Sequence, residues 1–207
     1  MYSAIVLTAG TGSRMNLGHN KMIITYKDKY LFEYAVDTFK SNELIDEIIV
    51  VYNKDDLELM ASVLGDKVSF IEGSDTRQNS VYQGIKNAKN SICIVHDGSR
   101  IFYDKEMLEK TISEIDTSFE SHVLTLNSVD TLYEVKDNQI VKLLDRNNIK
   151  RAQTPQIVKK DIYLDIYNKD KQYTDEASMF IDNNKSCKIL TGFKDNIKIT
   201  YKGDLDE

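Results

Sequence analysis

Arg14 and Lys21 close the stretch "LTAGTGSRMNLGHNK" (7–21), directly behind two glycines, Gly10 and Gly12. The glycines permit a tight turn in which backbone N–H groups approach an anion. The arginine adds a planar fork for phosphate oxygens, and the lysine a mobile point charge. That set of groups suits a phosphorylated ligand. It is not a P-loop, because Gly-Lys-Ser/Thr is missing. Nor is it the dinucleotide fingerprint, because Met15 occupies the place of the third glycine. A plain turn with a solvated charged face is the rival reading of these residues alone.

Four further stretches carry groups of the same kind. "EGSDTRQNSV" (72–81) offers Gly73, Ser74, Asp75 and Ser80 beside a helix start, or simply a turn with an N-cap. "VHDGSR" (95–100) places Asp97 at the end of a buried strand, with Arg100 shortly after it. A carboxylate there is a natural ligand for a hard cation such as Mg²⁺, which keeps several waters and bridges phosphates. A capped turn is its bland alternative, and His96 reads as a core or supporting group rather than a base. "RAQTPQ" (151–156) holds the only proline, Pro155, and Thr154 suits a polar substrate. "DNIKIT" (195–200) sets Lys198 among apolar neighbours in what reads as a late strand, where a lone lysine is usually a solvated edge residue.

The elements that must position these groups alternate. "SAIVLT" (3–8), "DEIIVVY" (46–52), "KVSFIEG" (67–73) and "NSICIVHD" (90–97) read as strands. Between and after them, helical periodicity covers 30–42, 54–64, 77–89 and 104–115. Such alternation predicts an α/β fold with a mostly parallel sheet. Ligands of such sheets sit beyond the carboxyl ends of the strands, which brings residues 8–21, 72–80 and 96–101 around one crevice. Residues 121–150 break the pattern and read as two extended runs around the turn "KDN" (136–138), a projecting hairpin that needs a partner surface. Helices are predicted over 160–169 and 174–184, the second capped by Thr174 or Asp175, and closing strands over 187–192 and 196–201.

The chain has 207 residues, 41% hydrophobic and 29% charged, enough for one substantial domain spanning 1–207 with the arm at about 127–148. A net charge of −6 argues against a nucleic-acid binder but leaves room for a small phosphorylated ligand held by a few focused cations. No apolar run suggests a membrane span or a secretory leader, and Cys93 and Cys187 suggest no disulfide framework, so the expected location is cytoplasmic.

Seven segments together resemble the cytidylyltransferases that act on 2-C-methyl-D-erythritol 4-phosphate in the non-mevalonate isoprenoid pathway. They are "AGTGSRM…NK", "GSDTRQNSV", "VHDGSR", "DTLYEV", "LDRNNIKRAQTPQ", "TDEAS" and "DNIKIT", in the family's order and over nearly the whole chain. The resemblance implies a Rossmann-like nucleotidyltransferase domain with a β-hairpin arm. It implies transition-state stabilisation by Arg14 and Lys21, and a cytosine and ribose site at Thr8, Ala9, Gly10, Gly12, Gly73, Ser74, Asp75 and Ser80. Asp97 would bind Mg²⁺. Thr131, Arg146 and Thr154 would lie on or near the arm and reach the partner subunit's site; with Arg100, Thr174 and Lys198 they would position the polyol phosphate. The implied partners are CTP, the acceptor and a second copy of the chain joined through the arm.

This sequence departs from the family pattern in places. Thr8 stands where alanine is common, and Ser74 where the second glycine of a pair is common. Asn20 and Met22 flank Lys21 where proline and glutamine are typical, Gly98-Ser99 replaces two alanines, and Ile101 a proline. The rival activities are transfer to ribitol 5-phosphate, nucleotide binding without catalysis, and dinucleotide-dependent oxidoreduction. The missing third glycine speaks against the last.

Overall fold

The computed structural model describes residues 1–10 and 19–205. Gly12 and Arg14 lie outside the described residues. The chain begins with β1 (Tyr2–Leu7), whose alternate residues serve two cores. Ala4 and Val6 face one side, Ile5 the other. Burial on both faces is why the segment reads as an unbroken apolar run. A small hairpin, β2 (Thr25–Tyr26) and β3 (Lys29–Tyr30), leads into α1 (Leu31–Lys40). Then follow β4 (Ile45–Tyr52), α2 (Leu57–Leu64), β5 (Ser69–Glu72), α3 (Arg77–Asn87), β6 (Ile92–Asp97) and α4 (Lys105–Ser113). The second half holds β7 (Ser121–Asn127), β8 (Leu132–Lys136), β9 (Gln139–Leu144), β10 (Lys150–Lys159), α5 (Lys160–Ile166), α6 (Glu176–Asp182) and β11 (Cys187–Thr191).

Seven strands form one sheet in the order β11-β7-β10-β6-β1-β4-β5. All neighbouring pairs are parallel except those of β10, which runs antiparallel to both β6 and β7. Phe32, Phe39, Met60 and Leu108 bring α1, α2 and α4 onto one face. Val81, Ile85, Tyr163 and Phe180 bring α3, α5 and α6 onto the other. Full burial of such side chains is worth about 1.5–3 kcal/mol each, so the two cores hold the sheet rigid beneath its carboxyl end. Among the described residues no helix is long and apolar enough to cross a membrane.

Two expectations change here. The stretch 121–150 is not two runs around one turn: β7 belongs to the main sheet, and only β8 and β9 form the projecting pair. Asp137 and Asn138 turn that pair with φ of 49° and 62°, the left-handed geometry that a two-residue hairpin turn uses. The closing strand at 196–201 is absent, because side chains take its backbone groups. The Asn196 carbonyl accepts from Arg100 Nη1 (2.7 Å) and Gln153 Nε2 (3.1 Å), and the Ile199 carbonyl from Lys21 Nζ (2.6 Å). Lys198 therefore sits in a loop rather than in a strand.

Candidate active site

Along the chain β1, β4 and β5 are laid down in one direction, and β6 then joins the other side of β1. This reversal opens a crevice between β1 and β6, where Leu7 pairs in register with Asp97. A cavity of about 480 Å³ lies there. Ala9 and Gly10 line it from the end of β1, Asn53 from β4, and Ser74, Asp75, Arg77 and Ser80 from the β5–α3 turn. Asp97, Ser99, Lys21 and Lys198 complete its charged wall.

The β5–α3 turn is built by its own hydroxyls. Thr76 caps α3 by accepting from Asn79 N (3.1 Å), and Ser80 Oγ accepts from Ser74 N (2.9 Å). Gly73 is required by close approach: a Cβ there would stand 2.5 Å from Ala9 Cβ. Hydrogen bonds from Asn79 and Ser74 hold the exposed Asp75 carboxyl below its ordinary range. Thr8 is buried beneath these groups, its hydroxyl donating to the Val51 carbonyl (2.9 Å).

Asp97 is the electrostatic centre. Its Oδ1 accepts from Arg77 Nε (3.2 Å) and its Oδ2 from Lys198 Nζ (2.7 Å), while its N–H donates to Thr154 Oγ1 (3.1 Å). Burial alone would raise its pKa, but the attraction of Arg77 and Lys198 prevails and holds it well below the carboxylate range. Arg77 in turn pairs through both terminal nitrogens with Glu176, at 2.7 and 3.2 Å. Glu176 is only 3% exposed, so Arg77 links a cleft carboxylate to a buried one. Despite the desolvation that opposes it, the two carboxylates push the Arg77 pKa upward.

Arg100 lies below the cleft rather than on its wall, donating to the Asn196 carbonyl. Its Nε is buried without a partner, and burial lowers its pKa. Burial also pushes His96 down to about 3, leaving a neutral imidazole between Thr154 Oγ1 (3.3 Å) and the Arg100 carbonyl (3.4 Å). Thr174 is exposed, and Asp175 rather than Thr174 caps α6, accepting from Ser178 N (2.9 Å). Thr131 and Arg146 are exposed at the base of the arm, where Arg146 Nη1 donates to the Val129 carbonyl (2.8 Å). Neither lines the cavity of its own chain.

Arg77, Asn53, Met22, Ser99 and Thr200 also line the cavity without having been singled out from the sequence. A signal for Arg77 existed. A cation at the first helical position opposes the helix dipole and needs an anionic partner to justify it.

Among the described residues no group of three or more His, Cys, Asp or Glu could cage a metal ion. The cleft instead presents the Asp97 carboxylate beside cations. That donor set fits an ion which keeps its waters and takes its remaining ligands from bound phosphates.

The family model for 2-C-methyl-D-erythritol 4-phosphate cytidylyltransferase matches residues 2–207. The chain is 31% identical to the enzyme of that name from Clostridioides difficile, covering 100% of this chain and 91% of the relative. It is 33% identical to the one from Aquifex aeolicus, covering 100% and 95%. The crystal structure of 4-diphosphocytidyl-2C-methyl-D-erythritol synthase from Anaerococcus prevotii superimposes with a TM-score of 0.87 at 28% identity, covering 100% of this chain and 95% of that one. A full-length family match, on a sheet whose switch point gathers Lys21, Arg77, Lys198 and Asp97 around one cavity, places this chain in the 2-C-methyl-D-erythritol 4-phosphate cytidylyltransferase family.

Proposed function

We propose that the chain transfers CMP from CTP to 2-C-methyl-D-erythritol 4-phosphate, giving 4-diphosphocytidyl-2-C-methyl-D-erythritol and pyrophosphate. The observation that carries this reading is the cationic wall of Lys21, Arg77 and Lys198 in the cavity that the buried Asp97 carboxylate faces, in a member of that family. An oxygen of the acceptor phosphate attacks the α-phosphorus of CTP in line, and the bond to the pyrophosphate oxygen breaks. The nucleophile is already an anion, so no general base is needed. The neutral, buried His96 accords with that requirement.

Negative charge grows on the α-phosphoryl oxygens and on the leaving group. Lys21, with Arg14 by resemblance, would stabilise it as a fixed donor in a partly desolvated cleft. Ala9, Gly10, Gly12, Gly73, Ser74, Asp75 and Ser80 would hold the cytosine and ribose. Thr8 supports them from below through its bond to Val51. Asp97 would hold Mg²⁺, which when bound neutralises phosphate charge. Lys198, Thr154, Arg100 and Thr174 would position the acceptor phosphate, together with Thr131 and Arg146 from a second copy.

That second copy enters through the arm. Val129, Tyr133, Val135, Ile140, Val141 and Leu143 are exposed on it, Leu143 by 66%. An isolated two-stranded ribbon with such a surface needs a partner to cover it. We assign the partner as a homodimer mate. The free thiols of Cys93 and Cys187 accord with a reducing cytoplasm.

The test is pyrophosphate release from CTP with purified protein and each of two acceptors, 2-C-methyl-D-erythritol 4-phosphate and ribitol 5-phosphate. Preference for the first is expected. Preference for the second would reassign the acceptor, and CTP binding with no release on either would leave a nucleotide-binding protein.

A further inference from the structure

Asn20 adjoins Lys21, is only 6% exposed, and has all its side-chain hydrogen-bonding groups engaged. Its Nδ2 donates to Asp56 Oδ2 (2.6 Å) and to the Thr8 carbonyl (2.7 Å). Its Oδ1 accepts from Met22 N (3.0 Å) and so caps the single turn Lys21–Ile23. An amide has two donor hydrogens, and both are spent here while the oxygen is also used.

The three partners come from three places. Thr8 directly follows the first strand and is tied to β4 through the Val51 carbonyl. Asp56 is buried at the start of α2, with its N–H donating to the Asn53 carbonyl (2.8 Å). Met22 follows Lys21 and is buried. One side chain therefore joins the strand end that precedes the glycine-bearing stretch to the turn that follows it, and anchors both on a helix start.

From this geometry we infer that Asn20 is a positioning residue for Lys21, acting as a clasp with Asp56. The inference rests on Lys21 serving as a charge-stabilising donor. The backbone of Lys21 is held between the cap oxygen at 20 and the anchored amide at 22. Its ammonium reaches the Ile199 carbonyl, which fixes the far end. A charged acceptor such as Asp56 strengthens the donor bond that sets the clasp, and burial shields it from competing water. Proline cannot supply these bonds, so this chain holds its lysine by hydrogen bonding where its relatives' typical residue would rely on a fixed backbone angle.

The experiment is a double-mutant cycle between Asn20→Ala and Lys21→Ala, read as kcat for pyrophosphate release and as KM for CTP. Asn20→Ala is expected to lower kcat about 10- to 100-fold, as for a catalytic group displaced by about 1 Å, with KM changed far less. In the Lys21→Ala background the same change should lower kcat less than about twofold. Equal losses in both backgrounds would show a general effect on the fold and overturn the inference. Unchanged kcat in Asn20→Ala would overturn it as well. Wild-type turnover in Lys21→Ala alone would remove the role of Lys21 and the clasp's purpose together, so the two failures are distinguishable. Should Asn20→Ala not fold, Asp56→Ala and Asp56→Asn carry the test. The asparagine keeps an acceptor for Nδ2 and should recover most of the kcat lost in the alanine variant; equal kcat in those two would contradict the clasp.

Discussion

In the cleft, the charged side chains around Asp97 are buried or half-buried and paired; on the arm, apolar side chains are exposed. Asp97, Arg77, Glu176 and Lys198 form a continuous chain of opposite charges in which each carboxylate meets a cation. Val135 and Ile140 face each other across the arm, as do Tyr133 and Leu143, yet all four stand in solvent. The cleft is thus organised before any ligand arrives, whereas the arm is organised only in its own backbone. Preorganised charge serves catalysis because it costs no rearrangement in the transition state. An uncovered apolar ribbon suits the assembly proposed above, since covering it yields the favourable term.

The largest effect should come from the cleft. Lys21→Ala is expected to lower kcat by about 10²–10³ while leaving fold and self-association unchanged. Circular dichroism and sedimentation would verify the latter two. Retained turnover would mean that the cationic wall serves binding alone. The arm should give the next largest effect. Leu143→Asp is expected to shift the protein to a monomer in sedimentation and to lower turnover about 10²-fold, if the second copy supplies the proposed acceptor-positioning groups. Its monomer should stay folded, because Leu143 belongs to neither core of its own chain, while its melting temperature loses the dependence on protein concentration that a dimer confers. A monomer with full activity would separate the arm from the chemistry.

How far each region could be read in advance follows the same division. The body was legible because its signals are local: "IIVV" before an amphipathic helix, and "ICIV" ahead of an aspartate, are buried parallel strands with few alternatives. The arm's turn was legible too, since Asp137 and Asn138 tolerate the left-handed angles they adopt. Long-range polar pairing left fainter marks. Ile197 and Ile199 alternate as in a strand, but Arg100 and Lys21 take the carbonyls that a ladder would need. Asp97 stood out as a strand-end carboxylate, while nothing in the sequence joins Arg77 to a glutamate 99 positions away. The placement of β10 as an antiparallel strand between β7 and β6 was likewise invisible, because its hydrogen-bonding direction is set by its neighbours.

A third, smaller effect lies beneath the cleft and is absent from the arm. Burial, the dominant influence on His96, lowers its pKa from 6.5 to about 3. Its folded pKa is depressed, so between those values the unfolded chain binds the extra proton. Stability is therefore full above pH 6.5 and is lost as pH falls. By pH 5 the loss from this one group should be roughly 2 kcal/mol, before carboxylates with pKa values near 4 contribute appreciably. Urea unfolding at pH 7 and pH 5 measures it, and His96→Gln should reduce the difference, leaving the part due to His122, whose pKa burial also lowers. An unchanged slope in that variant would move the pH dependence elsewhere. The arm carries no histidine and should show no separate response.

The smallest effect concerns how the cleft floor is packed. A Cβ added at Gly98 would stand 3.0 Å from the Leu7 carbonyl, 3.0 Å from Met22 Cε and 3.1 Å from Thr8 Cγ2. Two of these three neighbours, Thr8 and Met22, replace the family's usual alanine and glutamine, and Gly98 itself replaces a usual alanine. Larger side chains at 8 and 22 thus occupy the space that the missing methyl group vacates. Gly98→Ala in this chain should cost about 1 kcal/mol through overpacking, and adding Thr8→Ala should recover part of it by removing the Cγ2 contact, net of the lost Val51 bond. Denaturant midpoints of the two single variants and the double variant would show the coupling. Strict additivity would mean that positions 8 and 98 are not energetically coupled, and that the floor tolerates a methyl group by yielding elsewhere.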